Sequence, residues 1–145
     1  MKKITIMAFL LVATICAKAQ SLSFSNYVGD VVYTQLIYTD YSGSYTSTVF
    51  TIPYRASNYS VSFSSLSWVS GSPSSGGTFT DWITYDGDPS SCAANYVDVP
   101  APSPFNPAPT GIISPVSGCE PSLGYSNLSL NWNQGVGVQC NINGY

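Results

Sequence analysis

Asp81, Asp86 and Asp88 are the one group of closely spaced acids in the sequence. Carboxylates grouped this way can do three things. Facing each other across a cleft, a pair hydrolyses glycosidic bonds, one as acid and the other as base or nucleophile. Around a hard cation they act as oxygen ligands, and in a turn they accept backbone N–H groups. The spacing favours the turn: Asp86-Gly87-Asp88-Pro89 closes one strand, so the acids share an element instead of opposing one another. Calcium is the weaker reading, held by Asp86 and Asp88 with Asp81, Asn95 or Asp98 as further oxygens, although the spacing does not match an EF-hand loop.

Most other side-chain chemistry is missing. The chain has no histidine. That removes the Ser/His/Asp and Cys/His arrangements, the commonest general base and the usual zinc and copper ligand. All three lysines lie before residue 20, so beyond that point Schiff-base chemistry has no amine. No Gly-rich phosphate loop is present. The expectation is a protein that is not an enzyme and needs no cofactor.

Aromatic side chains are the second candidate feature. Eleven tyrosines and three tryptophans exceed what a core of this size must bury. Tyr41 and Tyr45 flank a Ser-Gly-Ser turn, Trp82 shares its strand face with threonines, and Tyr85 closes the same strand. Amphipathic rings beside Ser, Thr, Asn and Asp can stack on sugars or form a protein interface. The plainer alternative for any one of them is cross-strand packing.

The elements that must position these residues read as strands throughout. Residues 21–54 form a β-meander: Leu22 and Phe24 alternate with serines, Gly29-Asp30 turns the chain, and 31–40 is β-branched and aromatic. Ser42-Gly43-Ser44 then reverses it into a strand over 45–52, closed by Pro53. Apolar residues of the second strand fall on both parities, as in a strand central to its sheet or covered on both faces. Tyr59, Val61 and Phe63 alternate with serines, but Leu66 and Trp68 continue on the other parity, which requires a β-bulge near Ser64-Ser65 or a bend between two sheets. Residues 78–85 form a further strand, with Trp82 on one side and Phe79, Ile83 and Tyr85 on the other. Residues 96–99 suit a short edge strand.

Seven prolines between Val99 and Pro121 exclude a central strand there and predict a polyproline crossover that shields a sheet edge. Leu128, Leu130 and Trp132, then Val136, Val138, Cys140 and Ile142, restore the alternation as a terminal hairpin or one long kinked strand around Asn133-Gln134-Gly135. The fold expected is all-β: a two-layer antiparallel β-sandwich, immunoglobulin-like or Greek-key, of seven or eight strands.

Residues 1–19 carry Lys2 and Lys3, an apolar run from Ile4 to Ile15 and Ala17-Lys18-Ala19. This is the pattern of a secretory signal peptide of the bacterial kind, cut before Gln20. The run is too short to anchor the chain in a bilayer, and Ile15 before Cys16 argues against lipid attachment. Residues 20–145 form a single domain with Arg55 alone against seven carboxylates, a side-chain balance of −6. Nucleic acid and anionic lipid need clustered cations, so neither is expected as a partner. With 14% aromatic and only 8% charged residues, a packed domain is expected and disorder is not.

Three cysteines follow the leader. Cys92 and Cys119 lie in turn-like sequence on either side of the prolines, while Cys140 lies on an apolar parity, so a Cys92–Cys119 bridge with Cys140 buried is the expectation. The general look is that of small secreted β-sandwich modules of bacteria, periplasmic or at the cell surface. The leading functional expectation is a non-catalytic binding module for carbohydrate or a partner protein, at Tyr41, Tyr45, Trp82 and Tyr85. A structural subunit of a surface layer or fibre, self-assembling through edge strands and an unpaired thiol, is the second. An aspartate-dependent glycoside-active enzyme is the third.

Overall fold

The computed structural model describes residues 21–114, 119, 127–135 and 137–144. The expected leader with Cys16, the cleavage point at Gln20, and Glu120, Pro121 and Val136 lie outside the described residues. Ten strands follow in order: β1 (Ser21–Asn26), β2 (Val32–Asp40), β3 (Gly43–Thr46), β4 (Phe50–Ile52), β5 (Tyr59–Ser62), β6 (Thr78–Tyr85), β7 (Tyr96–Pro100), β8 (Thr110–Ile113), β9 (Leu128–Gly135) and β10 (Gly137–Gly144). One sheet has the order β5-β1-β10-β9-β8. The other has the order β3-β2-β6-β7, with β4 also pairing β2. The two sheets pack face to face as a sandwich. Among the described residues no helix is long and apolar enough to cross a membrane.

The core lies between the sheets. Leu22 and Phe24 of β1, Leu128, Leu130 and Trp132 of β9, and Cys140 and Ile142 of β10 meet Val32, Leu36 and Tyr38 of β2, Ile52 of β4, Phe79 and Trp82 of β6 and Val99 of β7. Alternation produces most of this: each strand turns one set of alternate residues inward, and facing those sets together removes them from water at about 25 cal/mol per Å². Rings interlock across the layers, Trp82 standing edge-on to Phe24 at 5.5 Å and to Trp132 at 6.4 Å. At one end the amide of buried Asn26 donates to the Asp30 and Pro53 carbonyls while its Oδ1 accepts from Val28 N–H, tying β1 to the end of β4.

Several expectations are corrected. Among the described residues the strands number ten, and one pairing is not antiparallel, because β1 runs parallel to β10 with Phe24 opposite Cys140. The strand expected over 45–52 is two. Ser47 interrupts it, yet its backbone N–H reaches the Leu36 carbonyl and its hydroxyl takes the Leu36 N–H, so β3 and β4 stay on one edge of β2. The parity shift after Phe63 is a bend between the sheets: a 3₁₀ turn over Phe63–Ser65 carries the chain from β5 across to Trp68, which pairs with Ser47.

The bulge lies elsewhere. In β6, Asp81 pairs with Ile37 but Phe79 pairs with Tyr38, leaving Thr80 as the extra residue. Phe79 and Trp82 therefore both face the core, not opposite sides as expected. The proline stretch holds an unexpected strand, β8, at the edge of its sheet. Gly111 makes this possible, since an added Cβ would lie 2.6 Å from Val97 Cγ2 and 2.8 Å from Val99 Cγ2 of the other layer. β9 and β10 form the terminal hairpin. Cys92 and Cys119 are bridged, with Cα atoms 5.7 Å apart, and Cys140 is free and buried.

Candidate functional site

The outer face of the second sheet carries the residues that the inward parity leaves behind. On β2 these are Tyr33, Gln35 and Ile37, and on β6 they are Asp81, Ile83 and Tyr85. Register sets them in rows. Tyr33 stands opposite both Thr51 of β4 and Tyr85, and Tyr85 stands opposite Tyr96 of β7. The next row is Gln35, Ile83 and Asp98, and the one after it Ile37, Asp81 and Pro100. Neighbouring strands are about 4.8 Å apart, so the three tyrosines span about 10 Å across the sheet.

A groove of about 550 Å³ opens over this face. Tyr33, Gln35 and Tyr85 form its floor, Val49 and Thr51 one wall, and Asp88, Pro89 and Ser90 the other. Its floor is fixed by hydrogen bonds: the Tyr85 hydroxyl donates to Gln35 Oε1 at 2.5 Å, and Gln35 Nε2 donates to the Ser47 carbonyl at 2.9 Å. The Tyr85 and Tyr96 rings are 5.9 Å apart and tilted by 48°. Burial, with Tyr96 adding to it, pushes the Tyr85 hydroxyl above its ordinary value, so it remains a neutral donor.

The acids divide into different roles. Asp88 Oδ1 accepts from the Ser90 N–H at 2.8 Å and the Ser90 hydroxyl at 2.7 Å, which holds its carboxyl below the usual range and ionised on the groove wall. Asp86 is buried behind it. Its Oδ1 accepts from Asn95 N–H and its own N–H donates to the Asn95 carbonyl, closing the loop that leads into β7. Asp86 and Asp88, the carboxylates suggested for calcium, each accept a backbone N–H of their own loop. Asp81 and Asp98 stand on neighbouring strands of the same face and do not oppose each other across the groove.

Burial, reinforced by the charge of Asp81, raises the Asp98 carboxyl above its ordinary value. A carboxyl whose folded pKa is raised weakens the folded state wherever it is ionised, and the penalty fades as pH falls through that raised value. Because Asp98 is exposed and solvent screens its charge, Asp98→Asn is expected to raise the melting temperature at pH 7 only slightly, by about 1 °C. Scanning calorimetry should show the advantage vanishing as pH falls through the raised pKa and into the ordinary carboxylate range; an unchanged or lower melting temperature at pH 7 contradicts the assignment.

Of the four aromatics singled out from sequence, the groove gathers one, Tyr85. Trp82 is a correction: it is 0% exposed, with its indole N–H donating to Thr34 Oγ1 at 2.7 Å, and no ligand can reach it. Tyr41 and Tyr45 lie toward the far end of β2, Tyr45 on β3 opposite Tyr38 and about 17 Å from Tyr33, Tyr41 about 26 Å from it at the rise of a strand. There Tyr45 packs edge-on to Trp68 and its hydroxyl meets Ser42 Oγ, while Tyr41 is 93% exposed. Asp40 orders this hairpin by accepting from Ser42 N–H, Gly43 N–H and Ser74 N–H.

Tyr33, Gln35, Thr51 and Tyr96 were not singled out from the sequence. A signal existed for Tyr33, which sits on the parity opposite Val32, Leu36 and Tyr38. No local signal places Tyr96 beside Tyr85. The chain matches no protein-family model, no curated protein and no solved structure.

Proposed function

We propose that this chain is a small, secreted, non-catalytic module that binds carbohydrate across the outer face of its second sheet. The observation that carries the reading is the row of Tyr33, Tyr85 and Tyr96 beside a groove whose walls present Thr51, Ser90 and an ionised Asp88. Apolar ring surface with a few fixed polar groups suits the amphipathic faces of pyranose rings. The Cys92–Cys119 bridge supports an oxidising, extracytoplasmic address, as does the leader pattern. The return of β6 to pair with β2, while β5 joins the other layer, supports a Greek-key or immunoglobulin-like connection over a simple up-and-down one. Assembly through an unpaired thiol is disfavoured, because Cys140 faces the core.

Titration calorimetry and polysaccharide pull-down against a panel of soluble glycans test the reading. Binding is expected, with Tyr33→Ala and Tyr85→Ala each weakening it about tenfold, or about 1.4 kcal/mol. Tyr41→Ala is expected to leave affinity unchanged. No binding to any glycan, or wild-type affinity in both groove variants, overturns it.

A further inference from the structure

Resting on the glycan reading above, we infer that the ligand of this face is an amino-sugar polymer with free amines, preferred over its neutral counterpart and far over acidic polysaccharides. The face carries a row of three phenol rings, with Asp98 and Asp81 in the two rows that follow it and Asp88 on the groove wall. Asp88 lines the groove with Tyr33 and Tyr85, Asp98 stands one row away from Tyr96, and Asp81 lies in the row beyond. None of the groove-lining residues is cationic. Arg55, the one cation of residues 20–145, lies over the Tyr54 ring at 4.9 Å from its centroid.

Each part of this arrangement favours an ammonium group. A cation near a tyrosine face is attracted by the ring quadrupole. A cation near Asp98 relieves the like-charge pressure that Asp81 exerts on it, and Asp88 offers a charge that needs no protonation change to accept a donor. The same field acts against uronates and sulfated sugars, whose charges would be desolvated beside like charges. The Tyr33-to-Tyr96 span then sets the ligand as a short run of linked rings crossing the strands.

The test uses three probes titrated by calorimetry at low and at high salt: a β-1,4-linked glucosamine oligomer, its fully N-acetylated counterpart of equal length, and an oligouronate. The amine form is expected to bind at least tenfold more tightly than the acetylated form at low salt, with the ratio shrinking at high salt. Asp98→Asn and Asp88→Asn are each expected to cut that ratio several-fold. Tyr96→Ala, at an exposed position, and Tyr85→Ala should abolish most amine binding, which mere adsorption of a polycation to an acidic protein would not require. Equal affinity for the amine and acetylated forms, or tightest binding of the oligouronate, overturns the inference and leaves the glycan reading standing. Retention of amine binding in both tyrosine variants also overturns it. Absence of binding by all three probes overturns the inference, and the glycan reading falls with it only if the wider panel of soluble glycans also shows no binding.

Discussion

Replacing Trp82 by alanine is expected to cost about 3–5 kcal/mol, the range for deleting a large aromatic side chain from a closed core. Trp82 stands on β6, between β2 and β7, and reaches across the sandwich to Phe24 of β1 and Trp132 of β9. Alanine would empty the point where both layers meet. It would also remove the indole N–H from Thr34 Oγ1, a group inside the core that donates to the Ile83 carbonyl and faces Thr84 Oγ1. Against a total stability of about 5–15 kcal/mol for a domain of this kind, the loss is a large fraction of the whole. Urea unfolding followed by far-ultraviolet circular dichroism measures it without relying on the missing fluorophore. A loss below about 1 kcal/mol would show that Trp82 is not where the two layers lock. Trp82→Phe should fall between, keeping ring packing while leaving Thr34 without its donor.

Breaking the Cys92–Cys119 bridge ranks second. The two residues are 27 positions apart. Closing a loop of that length removes denatured-state entropy worth about 3.5 kcal/mol in the chain-entropy model. The bridge links the loop after β6, in one sheet, to the segment between β8 and β9, in the other. Paired serine substitution is therefore expected to lower the urea midpoint with little change in native circular dichroism. Reduction of the wild type should reproduce the shift. Cys140 must stay apart from this chemistry: it is 0% exposed, and burial pushes its thiol well above the ordinary value. A thiol reagent should modify it only as the protein unfolds. A non-reducing peptide map that finds Cys140 in a disulfide, or a midpoint unmoved by the double substitution, contradicts the assignment.

The separation between what the residues state locally and what the packed molecule decides is sharp here. Alternation alone was enough for β1, for the inward set Leu128, Leu130, Trp132, Cys140 and Ile142, and for the all-β character. It was enough because a period of two marks a face wherever no residue is inserted. Composition was equally direct: the absence of histidine and the single cation after residue 19 are legible in the sequence wherever its strands go. Turn-like sequence around Cys92 and Cys119, against the apolar setting of Cys140, anticipated the bridge.

Tertiary structure decided the rest. One extra residue at Thr80 turned Trp82 from a candidate sugar platform into the centre of the core, since a bulge exchanges the two faces of everything beyond it. Ser47 split an apparently continuous strand because its hydroxyl could stand in for a ladder partner. β8 formed among prolines because an edge strand needs only one hydrogen-bonded side and Gly111 fits against Val97. The tyrosine row exists only through the pairing of β2 with β6 and of β6 with β7, and the first of these joins residues about fifty positions apart in the chain. Parity says which side chains share a face of one strand, but which strands lie side by side depends on the free energy of burying the opposite face. That free energy belongs to the two layers together and to no single segment.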